Sequence, residues 1–264
     1  MKAKGLLSLL AFSEKRRVIL LMLQEEPKTL REINDYFKAT SPEMIPQIRK
    51  LENGNLISQE GKKYVLTEIG EIVSQSFNQL SQTLKIFESN MRFWKEHSIS
   101  GIPPEFQMRL YELGEYNILE GTLTEIFKPH EEYIKNLLKS ERVRGVSPIL
   151  HPEYPKVVTM LAERGVDISI VVPREIFEKL QKEHKKELQE YLSYGNASMR
   201  TSDEQIKIAC TTSDTFLSMR LFLKDNTYDF YKNIISYEIS ALKLGEDLFN
   251  YYEKRSEKIE LQDI

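Results

Sequence analysis

The chain has 264 residues, 41% of them hydrophobic and 29% charged, a formal net charge of −3 and a single cysteine. That length suggests two domains, each with enough apolar material for its own core. No apolar run reaches the ~20 residues of a membrane span, and the lone Cys210 excludes disulfide scaffolds, CxxC redox pairs and thiolate zinc sites within one chain. Charge is divided unevenly. Residues 1–66 hold 12 Lys and Arg against 8 Asp and Glu, a net of +4, and the rest hold 25 against 32, a net of −7. A basic head on an acidic body directs the head at a polyanion.

The first segment, from Met1 to Phe12, is mildly signal-like, but its apolar stretch is short and a charged helix follows at once. It reads as a first helix packing on the next domain or across a dimer. Ser13 then caps an amphipathic helix that carries Val18, Ile19, Leu21, Met22 and Leu23 and ends at Pro27. Thr29 caps a short second helix with Leu30, Ile33 and Phe37. After the polar turn Lys38-Ala39-Thr40, Ser41 caps a third helix with Pro42 at its first position. Met44, Ile48 and Leu51, spaced i, i+4, i+7, form its buried stripe. Two short strand-like runs follow, 56–59 and 64–66, joined by Glu60-Gly61-Lys62-Lys63. Three helices and a basic-tipped hairpin, in that order, make a winged helix-turn-helix.

The chemistry of this module suits a DNA duplex. Opposite the buried stripe the third helix carries Pro42, Glu43, Pro46, Arg49 and Lys50, with Gln47 at the edge. Gln47 and Arg49 are expected to reach base edges and Lys50 a phosphate, with Ser41, Glu43 and Pro46 on the same face. Lys62 and Lys63 at the hairpin tip meet a neighbouring phosphate strand. The alternative is a solvated helix face and a solvated turn. Pro46 removes one backbone bond inside the helix and bends its axis.

A long helix is expected from Thr67 to about Glu96. Val73, Phe77, Leu80, Leu84, Phe87, Met91 and Trp94 alternate at spacings of four and three, an a/d seam over three heptads. Two copies zipped along this 67–97 helix would form a homodimer and hold two winged domains on one duplex. The other reading packs the same stripe against the chain's own C-terminal domain. Ser98 to Pro104 breaks the pattern, so the expected domains are 1–66, the linker 67–97 and a body from 98 to 264.

In the body, helices are expected over 104–113 and 116–139, the second with Leu119, Leu123, Ile126, Phe127, Ile134 and Leu137 as its apolar face. A strand at 143–150, a helix from Tyr154 to Arg164 and a strand at 166–172 form a right-handed crossover between parallel strands. A charged helix over 174–194, a strand pair at 206–210 and 216–223, and a final helix from Tyr228 to Glu257 complete it. The body is thus an α/β layer on a small mixed sheet, and the whole chain is of the α+β or α/β class.

Several stretches resemble a known family: Ser41 to Glu52, Ser147-Pro148-Ile149-Leu150-His151-Pro152, and Ala241 to Tyr252. They are similar to archaeal regulators of methanogens whose C-terminal part is the methanogen filament-regulator domain. The resemblance covers most of the chain. It implies an ArsR-like winged helix followed by a sensor domain for an unassigned small-molecule effector. The family pattern has Trp before the Gly-Glu of the last stretch, where this chain has Leu244. The body is also similar, at the level of fold alone, to the phospholipase-D-like effector domain of archaeal sugar-responsive regulators.

Catalysis is not expected. A phospholipase-D reaction needs HxKxxxxD; His184-Lys185-Lys186 supplies the first half and Tyr191 stands where the Asp should be. No GxGxxG, GxxxxGK[ST] or GxSxG occurs. The four histidines are scattered and no cysteine pair lies on the third helix, so no metal and no cofactor is expected. An effector is expected outside the carboxyl ends of the parallel strands, where Ser147, His151, Tyr154 and Arg174 gather. Cys210 reads as a buried small hydrophobe. The expected function is a cytoplasmic, dimeric, ligand-modulated transcription regulator on double-stranded DNA, with no membrane part. The alternative is an adaptor whose winged fold docks transcription machinery.

Overall fold

The computed structural model describes residues 5–121 and 130–264. These divide into two compact units, 1–83 and 84–264.

In the first unit α1 (Leu6–Ala11) leads into α2 (Glu14–Glu25), whose N-terminal amide at Arg16 bonds the Ser13 hydroxyl. A two-residue strand β1 (Lys28–Thr29) precedes α3 (Leu30–Phe37), where Thr29 and Glu32 close a capping box that satisfies two otherwise orphaned donors. α4 (Ser41–Asn53) is followed by the hairpin β2 (Ile57–Glu60) and β3 (Lys63–Leu66). β3 pairs antiparallel with both β2 and β1, so the wing has a third strand that the sequence pattern does not announce. Ile19, Leu20, Ile33, Met44, Ile48, Leu51 and Leu56 are sealed in the core. α1 contributes Leu10 to that core and leaves Leu7 and Phe12 exposed. The third helix is capped by Thr40, one residue before the expected Ser41. Thr40 keeps an extended backbone, and the Glu43 carboxylate accepts from its backbone N–H at 2.8 Å.

α5 (Glu68–Ser89) begins where the wing ends. Gly70 lies so close to the wing that a Cβ there would stand 1.8 Å from the Leu56 carbonyl oxygen, so only glycine fits. The expected single helix to Glu96 is interrupted. Asn90 leaves helical geometry (φ −140°, ψ 50°) and α6 (Met91–Glu96) starts anew.

The second unit is built on a sheet larger than the small one expected. After α7 (Pro104–Gln107) come β4 (Tyr116–Glu120), α8 (Glu131–Leu137), β5 (Arg142–Val146), α9 (Tyr154–Glu163) and β6 (Asp167–Pro173). Then follow α10 (Arg174–Glu183), α11 (Lys185–Ser193), β7 (Ala197–Ser202), β8 (Ile208–Ser213), β9 (Leu217–Leu221), β10 (Lys232–Ser236), α12 (Ile239–Glu253) and β11 (Glu257–Lys258). Among the described residues the sheet has eight strands in the order β11-β7-β6-β5-β8-β9-β10-β4. β5, β6 and β7 are parallel, as a crossover through α9 requires, and the other pairs are antiparallel.

Three helix expectations are corrected here. Residues 116–120 form an edge strand paired to β10 rather than the start of a helix; Ile118 packs toward one core and Leu119 toward the other, a period of two. The expected apolar positions Leu123, Ile126 and Phe127 lie outside the described residues. The final helix starts at Ile239, not Tyr228, because Ile234 and Ile235 are both fully buried on opposite faces of an interior strand, a pattern that also reads as helical. The 174–194 helix is broken at His184, whose backbone is non-helical.

Alternation along the strands feeds two cores. One face packs Val146, Val171, Cys210, Leu217 and Met219 against α12, α6 and the 102–113 segment. The other packs Val143, Ile168, Met199 and Phe216 against α8, α9, α10 and α11. Gly245 lets α12 approach the first face, since a Cβ would meet the Thr212 side chain at 2.7 Å. Its neighbours Glu246 and Asp247 pair with Arg142 and Arg109, and Leu244 is buried. The Leu-Gly-Glu-Asp stretch therefore anchors a helix on a sheet.

Candidate nucleic-acid interface and ligand cavity

The outward face of α4 follows from its buried one. With Met44, Ile48 and Leu51 turned inward, Glu43, Pro46, Arg49 and Lys50 are exposed. Neither Arg49 nor Lys50 has an ion pair among the described residues, so both charges are available to a polyanion. Three other expected contact residues already have partners. Glu43 closes the helix cap, and bonds from the Thr40 backbone and hydroxyl hold its carboxyl below the usual range. The Ser41 hydroxyl accepts from Asn34 Nδ2 at 2.8 Å. Gln47 Oε1 accepts from Arg16 Nη1 at 2.8 Å, and Arg16 Nε in turn donates to the Leu9 carbonyl. Gln47 thus ties α4 to α2 with its oxygen and keeps its amide hydrogens for a second partner. Pro46 lies within the helix on the exposed face.

The wing supplies the second contact. Gly61 takes a positive φ of 61° at the first of the two turn residues between β2 and β3, and Lys62 does not, the sign pattern of a type II′ hairpin. The turn leaves Lys62 at the tip and Lys63 at the start of β3, both exposed.

In the second unit, Ser147, His151 and Tyr154 come together where β5 ends and α9 begins. The Ser147 hydroxyl donates to the Ile149 carbonyl at 2.8 Å and shapes the turn. His151 is 3% exposed, stacks on Tyr154 at 4.6 Å between ring centres, and accepts the Glu153 backbone N–H at Nδ1. Burial, helped by the charge of Arg220, pushes its pKa down. Tyr154 also lies 6.2 Å from the Tyr133 ring, and burial pushes both phenols up. Two adjoining cavities of about 70 Å³ each share Ser147, Tyr154, Val158 and Ile170 as walls.

Arg174 stands elsewhere. It pairs with Asp203 and Glu257 beside a separate cleft, because it begins α10 beyond the end of β6. In its place the first cavity holds Arg220 from β9, with Tyr228 and Thr211. The sequence pattern gives Arg220 no prominence. The available signal is an arginine on the same strand face as Ser218 in a run that otherwise buries its side chains.

The a/d seam divides three ways. Val73 and Phe77 pack on the core of the first unit, Phe87 and Trp94 on that of the second, and Leu80 and Leu84 are each about half exposed. Among the described residues no group of His, Cys, Asp and Glu is placed to hold a metal, and no helix is long and apolar enough to cross a membrane. Cys210 is buried in the first core, where burial pushes its thiol up to about 12.

Residues 4–85 match the N-terminal domain of the methanogenesis regulatory protein FilR1, and residues 126–255 match its middle domain. Over 258 residues the chain is 27% identical to the methanogenesis regulatory protein FilR1 of Methanothrix harundinacea (strain 6Ac), covering 96% of this chain and 58% of that protein. The chain thus spans little more than half the length of that relative. Among solved structures it is similar to TrmBL2, an archaeal chromatin protein, at 14% identity and a TM-score of 0.44, over 93% of this chain and 92% of that one. It is also similar to Nuc, a phospholipase D family member from Salmonella typhimurium, at 15% identity and a TM-score of 0.39, over 55% of this chain and 99% of that one. Both matched domains are those of a regulatory protein and not of an enzyme.

Proposed function

We propose a mode of action for a chain that belongs, through matches to both an N-terminal and a middle domain, with the FilR1-like regulators: it reads duplex DNA with α4 and the β2–β3 wing. The observation that carries this reading is the pairing of exposed, unneutralised cations on two adjacent elements of one unit. Arg49 and Lys50 lie on the helix and Lys62 and Lys63 on the hairpin. A helix in the major groove would present Arg49 and the free amide of Gln47 to base edges, while Lys50 and the wing lysines contact phosphates. Ser41, Glu43 and Pro46 shape the start of that helix. The winged part is of the ArsR-like type in this reading, and what it controls is the methanogenesis programme named for the relative.

The finer parts of the reading are a dimer and an effector. Leu80 and Leu84 sit four residues apart on α5, on one side of that helix, and exposed apolar side chains of this size favour a partner. A second copy paired along α5 would place two reading heads on one duplex. The effector is a small molecule in the cavity walled by Ser147, His151 and Tyr154. Titrating duplex DNA at several salt concentrations tests the whole. Affinity should fall linearly with log salt, with a slope of about −0.9 per phosphate contacted. Salt-independent binding to a protein partner would instead support the adaptor reading.

A further inference from the structure

The first cavity of the second unit is walled mainly by apolar side chains, with Arg220 as the one cation among its lining residues. Arg220 projects into it from β9, half-buried, and its guanidinium donates to the Tyr228 hydroxyl. No Asp or Glu among the described residues pairs with it. Its charge reaches Tyr133, Tyr154, Tyr228 and His151, in each case disfavouring the protonated form. Around it the phenol of Tyr133 bonds Thr211 at 3.0 Å, and Ser218 donates to Asn233 Oδ1 at 3.0 Å. A half-buried cation without a counter-charge carries a desolvation cost that an anion beside it would offset. A guanidinium is suited to this because its fork matches a carboxylate or phosphate with two parallel bonds.

The adjoining cavity is more uniformly apolar and has no Lys or Arg among its lining residues. Leu150, Ile176, Leu180, Leu188 and Met199 line it, and its one carboxylate, Glu187, faces His184 at 3.9 Å. Each lobe measures about 70 Å³. At ~15 Å³ per water each lobe holds roughly five waters, together the space of a medium-length chain with a polar head.

We infer that this pair of lobes is a binding site for a small amphipathic organic anion, with its carboxylate or phosphate on Arg220 among Tyr133, Tyr154 and Tyr228 and its apolar body toward Leu180 and Met199. The inference rests on the reading of this cavity as the effector site and adds the ligand class and its anchor. Arg220 is a binding residue here. Ser147 and Tyr154 wall both lobes.

Calorimetric titration of the full chain with octanoate, octyl phosphate and 1-octanol tests it. Either anion should bind the wild-type chain at least tenfold more tightly than the alcohol, and inorganic phosphate more weakly than octyl phosphate. Arg220→Gln should remove that preference. Arg220→Lys, which keeps the charge without the fork, should fall between, and Arg174→Gln should match wild type. Should Arg220→Gln fail to fold, the comparison of anion with alcohol on the wild-type chain still decides. Equal binding of octanol and octanoate overturns the anion class and leaves an effector cavity standing. No binding of either anion overturns the site altogether. Duplex binding measured on the same preparation shows separately whether the DNA-reading function holds.

Discussion

His97 Nε2 lies 2.9 Å from Asp229 Oδ2, joining the end of α6 to the segment between β9 and β10 across 132 positions of sequence. Both side chains are within 5% of full burial. The opposite ring nitrogen, Nδ1, meets the Phe93 carbonyl at 2.7 Å, and the ring stacks on Phe93 at 3.9 Å. Burial alone would push the Asp229 carboxyl up. Hydrogen bonds from His97 and from the backbone of Tyr231 and Lys232 outweigh it and hold the group below its ordinary 3.8. Removing one partner strands the other in a dry site. Asp229→Ala should therefore cost roughly 3–5 kcal/mol in denaturant unfolding, far more than a surface substitution. Because the folded carboxyl is depressed, its contribution is present above pH 3.8 and disappears as pH falls through the lower folded value.

A second titration lies at His151. Its folded pKa is below the ordinary 6.5, so the unfolded chain binds the proton first. Stability should then fall as pH drops from about 6.5 toward the folded pKa, and be indifferent to this group above 6.5. The His151→Gln variant should show a flatter melting-temperature profile over that window. A profile identical to wild type would mean that the ring is not held neutral by its burial against Tyr154.

The junction of wing and α5 depends on one missing side chain. Gly70→Ala forces a Cβ into the Leu56 carbonyl, an atom of the backbone that has no rotamer to yield with. A loss of about 1–3 kcal/mol is expected, the scale of overpacking. Gly195→Ala, where nothing lies within 4 Å, is the control and should change little. A Gly70→Ala midpoint equal to that of the control would contradict the close approach.

Leu80→Asp with Leu84→Asp tests assembly. Both side chains are half exposed, so neither substitution opens a core. Sedimentation should move from dimer to monomer, and duplex affinity should fall roughly 100-fold once the second head is no longer tethered. A double variant that stays dimeric would place the contact elsewhere.

What could be read from sequence was what is local. Caps at Ser13 and Thr29, the Met44-Ile48-Leu51 stripe and the Gly61 turn act within a few residues, and they fall in the structure within a residue or two of their expected positions. The parallel strands β5 and β6 stood out as apolar runs on either side of an amphipathic helix. β10 did not, because a strand buried on both faces, as at Ile234 and Ile235, has no alternation to separate it from a helix, and β4 is a short edge strand none of whose residues is fully buried. The seam from Val73 to Trp94 kept its heptad spacing across a break at Asn90 that no proline or glycine marks. In the cavity, Ser147, His151 and Tyr154 are neighbours in sequence and were found together. Arg220 has no such local signature, because its surroundings come from α8, α9, β8 and the Tyr228 segment, a juxtaposition made only by the fold.

Arg49, Lys50, Lys62 and Lys63 are proposed to form one DNA-reading surface. The most direct measurement is the affinity of the full chain for a duplex selected from a random pool and for an unselected duplex, each across a series of salt concentrations. Arg49→Ala should cost roughly 1–3 kcal/mol on the selected duplex and much less on the unselected one. Lys62→Ala with Lys63→Ala should weaken both alike and lower the salt slope by about one for each phosphate that the wing no longer reaches. Wild-type affinity and slope in both variants, or no duplex binding by the wild-type chain, would contradict the account.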